Sequence, residues 1–206
     1  MIILTVEQTK QWMKEIQKRM EENKEQLTAL DQAIGDGDHG INMARGFNEV
    51  VNKIDDTDYD SVADVLKSAA MTLTAKVGGA SGPLYGTAFL KMSMAMQDKE
   101  VNQQNFKAAI DAALAGIKMR GHAEFGEKTM YDVWYQVAEF LASENVEDWE
   151  EMIEACQATI EDTREMVATK GRASYLKERT LGHVDPGSMS SFYIFEALVA
   201  VIEVGD

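Results

Sequence analysis

The sequence predicts an all-α protein folded as one domain over residues 1–206, and three observations carry that prediction. Its two prolines, Pro83 and Pro186, both sit in glycine- and serine-rich segments, so proline interrupts no helix elsewhere. Apolar residues recur at helical intervals along most of the chain. No stretch alternates polar with apolar between turn signals, as a half-buried strand would.

Taken in order, Thr5 with Gln8 reads as a capping box, and Val6, Trp12, Ile16 and Met20 give the first helix an apolar face to about residue 22. A short helical piece over 25–30 leads into the loop DQAIGDGDHGIN at 31–42. A helix then starts near Gly40, with Ile41, Ala44, Phe47, Val50, Val51 and Ile54 at helical spacing. After the acidic turn 55–60, Ser61 and Asp64 cap a helix striped by Val62, Val65, Leu66, Ala69 and Leu73. That helix stops at VGGASGPLYG, and the pattern resumes over 87–97. Phe106, Ala109, Ile110, Ala113, Leu114 and Ile117 mark the next one. Beyond GHAEFGEK, a helix carries Met130, Val133, Trp134, Val137, Phe140 and Leu141. Trp149, Met152, Ile153, Cys156 and Ile160 line a helix expected to reach about Ala168. A loop over 171–187 separates it from a last helix over 188–204. The total is eight or so helices, without repeat, linker or low-complexity tract.

With 206 residues, 45% of them apolar, the chain can bury one full core. Its 13 methionines read as core filler. The net charge of -15 argues against nucleic acid, whose backbone needs a basic surface. The apolar runs are too short to span a bilayer, and MIILTVEQ lacks the basic start and apolar stretch of a secretory signal. A lone Cys156, set in an apolar helical pattern, excludes an internal disulfide and a cysteine-based zinc site. A cytoplasmic protein without a membrane or nucleic-acid partner fits these features. The oligomeric state stays open between monomer and homodimer.

Four polar, glycine-rich loops stand between helices, at 31–42, 77–87, 121–132 and 171–188. Helix N-termini present unpaired N–H groups, so four such loops gathered at one end of a bundle would suit a phosphate-rich ligand. In the first loop, Asp31, Asp36 and Asp38 have no Lys or Arg among them, and carboxylates this close read as ligands of a divalent cation or as a solvated, Asp- and Gly-rich turn between two helices. They suit one Mg2+, or two with phosphate oxygens completing the shells. The loop lacks the ligand spacing of an EF-hand. His39 beside them can donate to a phosphate or serve as a structural histidine. In the second loop, Gly78, Gly79, Ala80, Ser81 and Gly82 precede a helix as a backbone nest with one hydroxyl would. The third is one residue too long for a P-loop; Lys128 offsets phosphate charge there or is an ordinary surface lysine, and Met130 can cover a flat purine. In the fourth, Arg172 can grip a phosphate as a fork, and Asp185-Pro186-Gly187 reads as a helix-start turn.

The blocks GDGDHGINMARGF, TLTAKVGGASGPLYGT, GEKTMYDVW and KGRASYLKERTLGHVDPG, in this order, resemble the signature of the dihydroxyacetone kinase L-subunit family. The resemblance implies a closed barrel or bundle of about eight antiparallel helices, with the nucleotide site at one end. It implies that Asp31, Asp36 and Asp38 hold two Mg2+ ions beside a tightly bound ADP. His39, Gly40, Ile41 and Asn42 would contact that nucleotide, with Gly79, Ala80 and Ser81 at its phosphates. Gly121 and Met130 would line the adenine, while Arg172, Asp185, Pro186 and Gly187 complete the site. It further implies that a phosphotransferase-system phosphocarrier phosphorylates the ADP in place. The phosphoryl group would then pass to dihydroxyacetone on a separate K subunit. An L-type subunit serving another acceptor, one using free ATP, or a nucleotide-binding regulatory subunit would carry the same loops.

Overall fold

The computed structural model describes residues 2–143 and 148–204. Among the described residues are nine α-helices: α1 (Val6–Glu22), α2 (Lys24–Ile34), α3 (His39–Asp55), α4 (Val62–Lys76), α5 (Ser81–Met96), α6 (Gln103–Gly121), α7 (Met130–Phe140), α8 (Trp149–Asp162) and α9 (Pro186–Val204). Two 3-10 segments, Thr163–Glu165 and Arg172–Thr180, lie between α8 and α9. The capping signals hold. Thr5 and Gln8 bond reciprocally at the start of α1, and Ser61 Oγ accepts the Asp64 N–H at the start of α4.

The helices close on themselves. α1 packs on α3, α3 on α4, α4 on α5, α5 on α6, α6 on α7, α7 on α9, and α9 returns to α1. α8 covers α7 and α9, and short α2 covers α3 and α9. The centre is filled, with Trp12 and Phe89 5.8 Å apart and Phe47 edge-on to Phe89 at 6.3 Å. This makes a closed bundle rather than a hollow barrel. Trp12 Nε1 donates to the Ile194 carbonyl at 2.8 Å, bonding α1 to α9. One apolar cluster draws side chains from all nine helices. No helix among the described residues is long and apolar enough to cross a membrane.

The α4–α5 pair is the closest-packed, and glycine explains it. A Cβ on Gly86 would come 2.0 Å from Thr74 Oγ1, so only glycine lets these helices approach so nearly. The same glycines concealed the true start of α5. Sequence patterning places it at residue 87, but the helix begins at Ser81, with Pro83 in the first turn where a missing N–H costs nothing. α2 likewise runs on to Ile34, and α8 stops at Asp162 rather than Ala168. There Thr163 turns its hydroxyl back to the Ile160 carbonyl at 2.6 Å. A strand pair was not foreseen: β1 (Ile2–Leu4) runs antiparallel to β2 (Val101–Asn102), at the end where α6 begins.

Since successive helices reverse direction, the segments 35–38, 77–80, 122–129 and 163–185 meet at the opposite end.

Candidate functional site

These four segments enclose a cavity of about 420 Å³, a volume within the range of small-molecule sites. One wall is acidic. Asp31 ends α2, Asp36 and Asp38 follow in the turn, and one carboxylate oxygen from each lies within 4.8 Å of the others. Another part of the lining is apolar, formed by Pro83, Leu84, Ile117, Ala123 and Met130. Gly79, Ala80 and Ser81 open α5 between them, and the Ala80 N-cap supplies no side-chain hydrogen bond, so the first-turn N–H groups of α5 have no side-chain cap.

Asp31 has two roles. Its Oδ2 accepts the N–H groups of Asp38 at 2.9 Å and His39 at 3.1 Å, capping α3 from outside the helix. Its burial fixes that carboxylate, while Asp36 and Asp38 are exposed. Three hard oxygen donors, one from the last turn of α2 and two from the turn that follows it, fit Mg2+. Asp36 also receives Arg172 Nη2 at 3.0 Å.

His39 is buried and its ring is fully engaged, Nδ1 with Ser81 Oγ at 3.1 Å and Nε2 with Ser190 Oγ at 2.8 Å. Burial lowers its pKa, opposed by Asp31, Asp38 and Asp36. Ser190 bonds in turn to Tyr85 Oη at 2.6 Å, Tyr85 to Ser191 at 2.9 Å, and Trp134 Nε1 donates to Ser191 at 3.1 Å. A polar chain thus runs from the mouth of α5 into the core. Both ring nitrogens of His39 are thus engaged within the protein, one of them by Ser81 on the cavity wall.

The structure gathers Asp31, Asp36, Asp38, His39, Gly79, Ala80, Ser81, Gly121, Met130, Arg172, Asp185, Pro186 and Gly187 on the cavity wall. Gly40, Ile41 and Asn42 lie outside it. A Cβ on Gly40 would sit 2.0 Å from the Lys24 carbonyl, so this glycine seats α3 on α2. Ile41 is 53% exposed. Asn42 is buried and accepts from Arg45 at 2.8 Å. Arg120 and Lys170 join the wall unannounced; the signal for Arg120 was its place in the last turn before Gly121.

Asp185 caps α9, its Oδ2 accepting the Ser188 N–H at 2.6 Å, with Pro186 at the first helical position. Burial pushes its pKa up to about 7 against that bond. Asp132 closes the capping box of α7 with Thr129, and burial raises its pKa too.

Lys128 corrects both expectations made of it. It lines the cavity but is no surface lysine, being 1% exposed, and its Nζ is spent on the backbone carbonyls of Thr163, Thr180 and His183 rather than left free for a phosphate. Burial lowers its pKa, opposed by Asp185.

Fold and site together define an all-α bundle whose open end suits an anionic ligand carrying both metal and an apolar group. The chain belongs to the DAK2 domain family, whose sequence model matches residues 33–200. Among relatives, the ADP-binding subunit of a PEP-dependent dihydroxyacetone kinase from Listeria innocua is 47% identical, the match covering 91% of this chain and 92% of that one. The ADP-binding subunit of the PTS-dependent dihydroxyacetone kinase of Lactococcus lactis is 42% identical, covering 97% and 100%. In structure the chain resembles the native dihydroxyacetone kinase of C. freundii, with TM-score 0.76, 25% identity and 93% of this chain covered. It spans 34% of that longer protein, which has also been solved with AMP-PNP and Mg2+ (TM-score 0.73, 23% identity, 93% and 33% covered).

Proposed function

We propose that the chain is the ADP-binding L subunit of a dihydroxyacetone kinase charged by the phosphoenolpyruvate-dependent phosphotransferase system. The observation that carries this reading is the meeting of three carboxylates, the uncapped start of α5 and the apolar patch around Met130 in one cavity. The length-matched relatives named as ADP-binding subunits support it.

Asp31, Asp36 and Asp38 would hold Mg2+, two ions when phosphate oxygens fill the remaining positions. When bound, ADP would supply the acceptor for a phosphoryl group from a phosphocarrier protein, and the ATP so formed would be the donor for dihydroxyacetone on a K subunit. The N–H groups of Gly79, Ala80 and Ser81 neutralise phosphate charge, helped by Arg172. Ser81 is held for this by His39. Met130 and Leu84 cover the base and exclude water from one side. Gly187 seats beside Met130, where a Cβ would lie 3.2 Å from the Met130 nitrogen, and so sets the width of that slot. Positioning and charge neutralisation are what phosphoryl transfer asks of a protein, and the site provides both without a nucleophile of its own.

The test mixes the chain with a K subunit and dihydroxyacetone, then compares donors. Sustained turnover with phosphoenolpyruvate and the phosphocarrier supports the proposal. Turnover from free ATP alone would replace it with an ATP-using kinase of the same fold.

A further inference from the structure

A lysine this deeply buried must have its charge compensated. Lys128 has no ion-pair partner among the described residues. Instead its Nζ lies 2.6 Å from the carbonyl of Thr163, 2.6 Å from that of Thr180, 2.7 Å from that of His183 and 3.2 Å from that of Met166. An ammonium has three donors, so four carbonyls converge on it as they would on a small bound cation. Lys128 reaches them from a left-handed backbone position (φ 61°), just before the α7 cap.

All four carbonyls belong to the segment 163–183. Residues 170–173 of it roof the cavity and carry Arg172. This strap has little core of its own. Its 3-10 segment is broken at Lys177 (φ 52°), and most of its side chains are exposed. Apart from Thr163 at its start, whose Oγ1 accepts the buried Asp185 N–H at 3.1 Å, its other side-chain tethers are peripheral: Thr169 and Lys170 to Glu127 at 2.9 and 3.6 Å, Arg172 to Asp36, and Arg164 to Glu161 at 2.6 Å.

We infer that Lys128 is a positioning residue for the site, an internal cation that clamps the strap 163–183 over the cavity mouth and so sets how firmly nucleotide is held. The second part rests on the nucleotide reading above; the clamp itself does not.

Trypsin separates the two, because Lys170, Arg172, Lys177 and Arg179 all lie in the strap. In a Lys128→Met chain that keeps its helical circular dichroism, cleavage between 170 and 179 should speed up at least about tenfold, with other sites unchanged. A fluorescent ADP analogue with Mg2+ should leave at least about tenfold faster. Strap cleavage within about twofold of wild type overturns the clamp, and faster cleavage with unchanged ADP release overturns its link to the site. Should Lys128→Met fail to fold, Lys128→Ala decides. Methylammonium chloride, but not equal sodium chloride, should restore its fold and strap protection; identical behaviour in the two salts overturns the inference. A wild-type chain that holds no ADP defeats the nucleotide reading alone, since the protease result still judges Lys128.

Discussion

Arg172 donates to the Asp36 carboxylate across 3.0 Å, joining the strap over the cavity to the acidic turn on its wall. Both side chains are substantially solvated, so the pair is worth only about 0.2–1 kcal/mol. Each partner is also the residue expected to meet a ligand, Asp36 a metal ion and Arg172 a phosphate. The pair is weak enough for a ligand to displace.

Arg172→Gln should therefore act in opposite directions on two ligands. Without nucleotide, Mg2+ affinity should rise by at most about fivefold, because Asp36 no longer has a competing cation. ADP affinity should fall. Isothermal titration of each ligand alone checks the pair of signs, and a fall in both would show that Arg172 does not compete with metal.

Asp31 and Asp36 should separate fold from binding. Asp31→Ala removes the cap of α3 as well as a metal ligand, and a lost cap costs about 1 kcal/mol. For a chain of this size that lowers Tm by about 2–4 °C. Asp36→Ala should leave Tm nearly unchanged while abolishing nucleotide retention. Thermal melts and gel filtration with labelled ADP distinguish the two.

Met130 should matter for the base and not for the phosphates. Truncation in Met130→Ala should weaken ADP by about 1–2 kcal/mol, roughly tenfold, through lost apolar contact. Inorganic pyrophosphate should bind the variant as it binds wild type, and competition titrations measure both.

Asp185 gives stability a pH dependence of defined sign. Its folded pKa, pushed up to about 7, exceeds the usual carboxylate value, so between about pH 4 and 7 the folded chain binds the extra proton. Stability from this group is full below that window and declines as pH rises through it, by several kcal/mol at about 1.36 per unit. Asp185→Asn still accepts the Ser188 N–H and should flatten the decline. Urea unfolding of nucleotide-free protein at pH 5 and pH 7.5 reads the difference.

The helical periodicity and the four polar loops were legible because each reports a local cause, burial of one helix face or a helix end. The three aspartates, Met130 and Arg172 were legible for the same reason, each being a side chain whose chemistry is visible without its neighbours. The start of α5 was not. Gly82, Pro83 and Gly86 read as a loop, whereas Gly86 serves close packing on Thr74, a contact made across two helices. Lys128 was hidden more completely, since its partners are carbonyls 35–55 residues away that every residue possesses. His39 was half legible. Its nearness to Asp31 lies in the sequence, but its bonds to Ser81 and Ser190 arise only when α3, α5 and α9 close the bundle.

The central claim, a nucleotide kept in place by the aspartate turn, is tested most directly by the contents of the purified chain. After gel filtration without added nucleotide, the protein is denatured and its supernatant analysed by mass spectrometry and metal analysis. The account predicts about one ADP and about two Mg2+ ions per chain. A chain that emerges empty and binds ATP only weakly and exchangeably would contradict it.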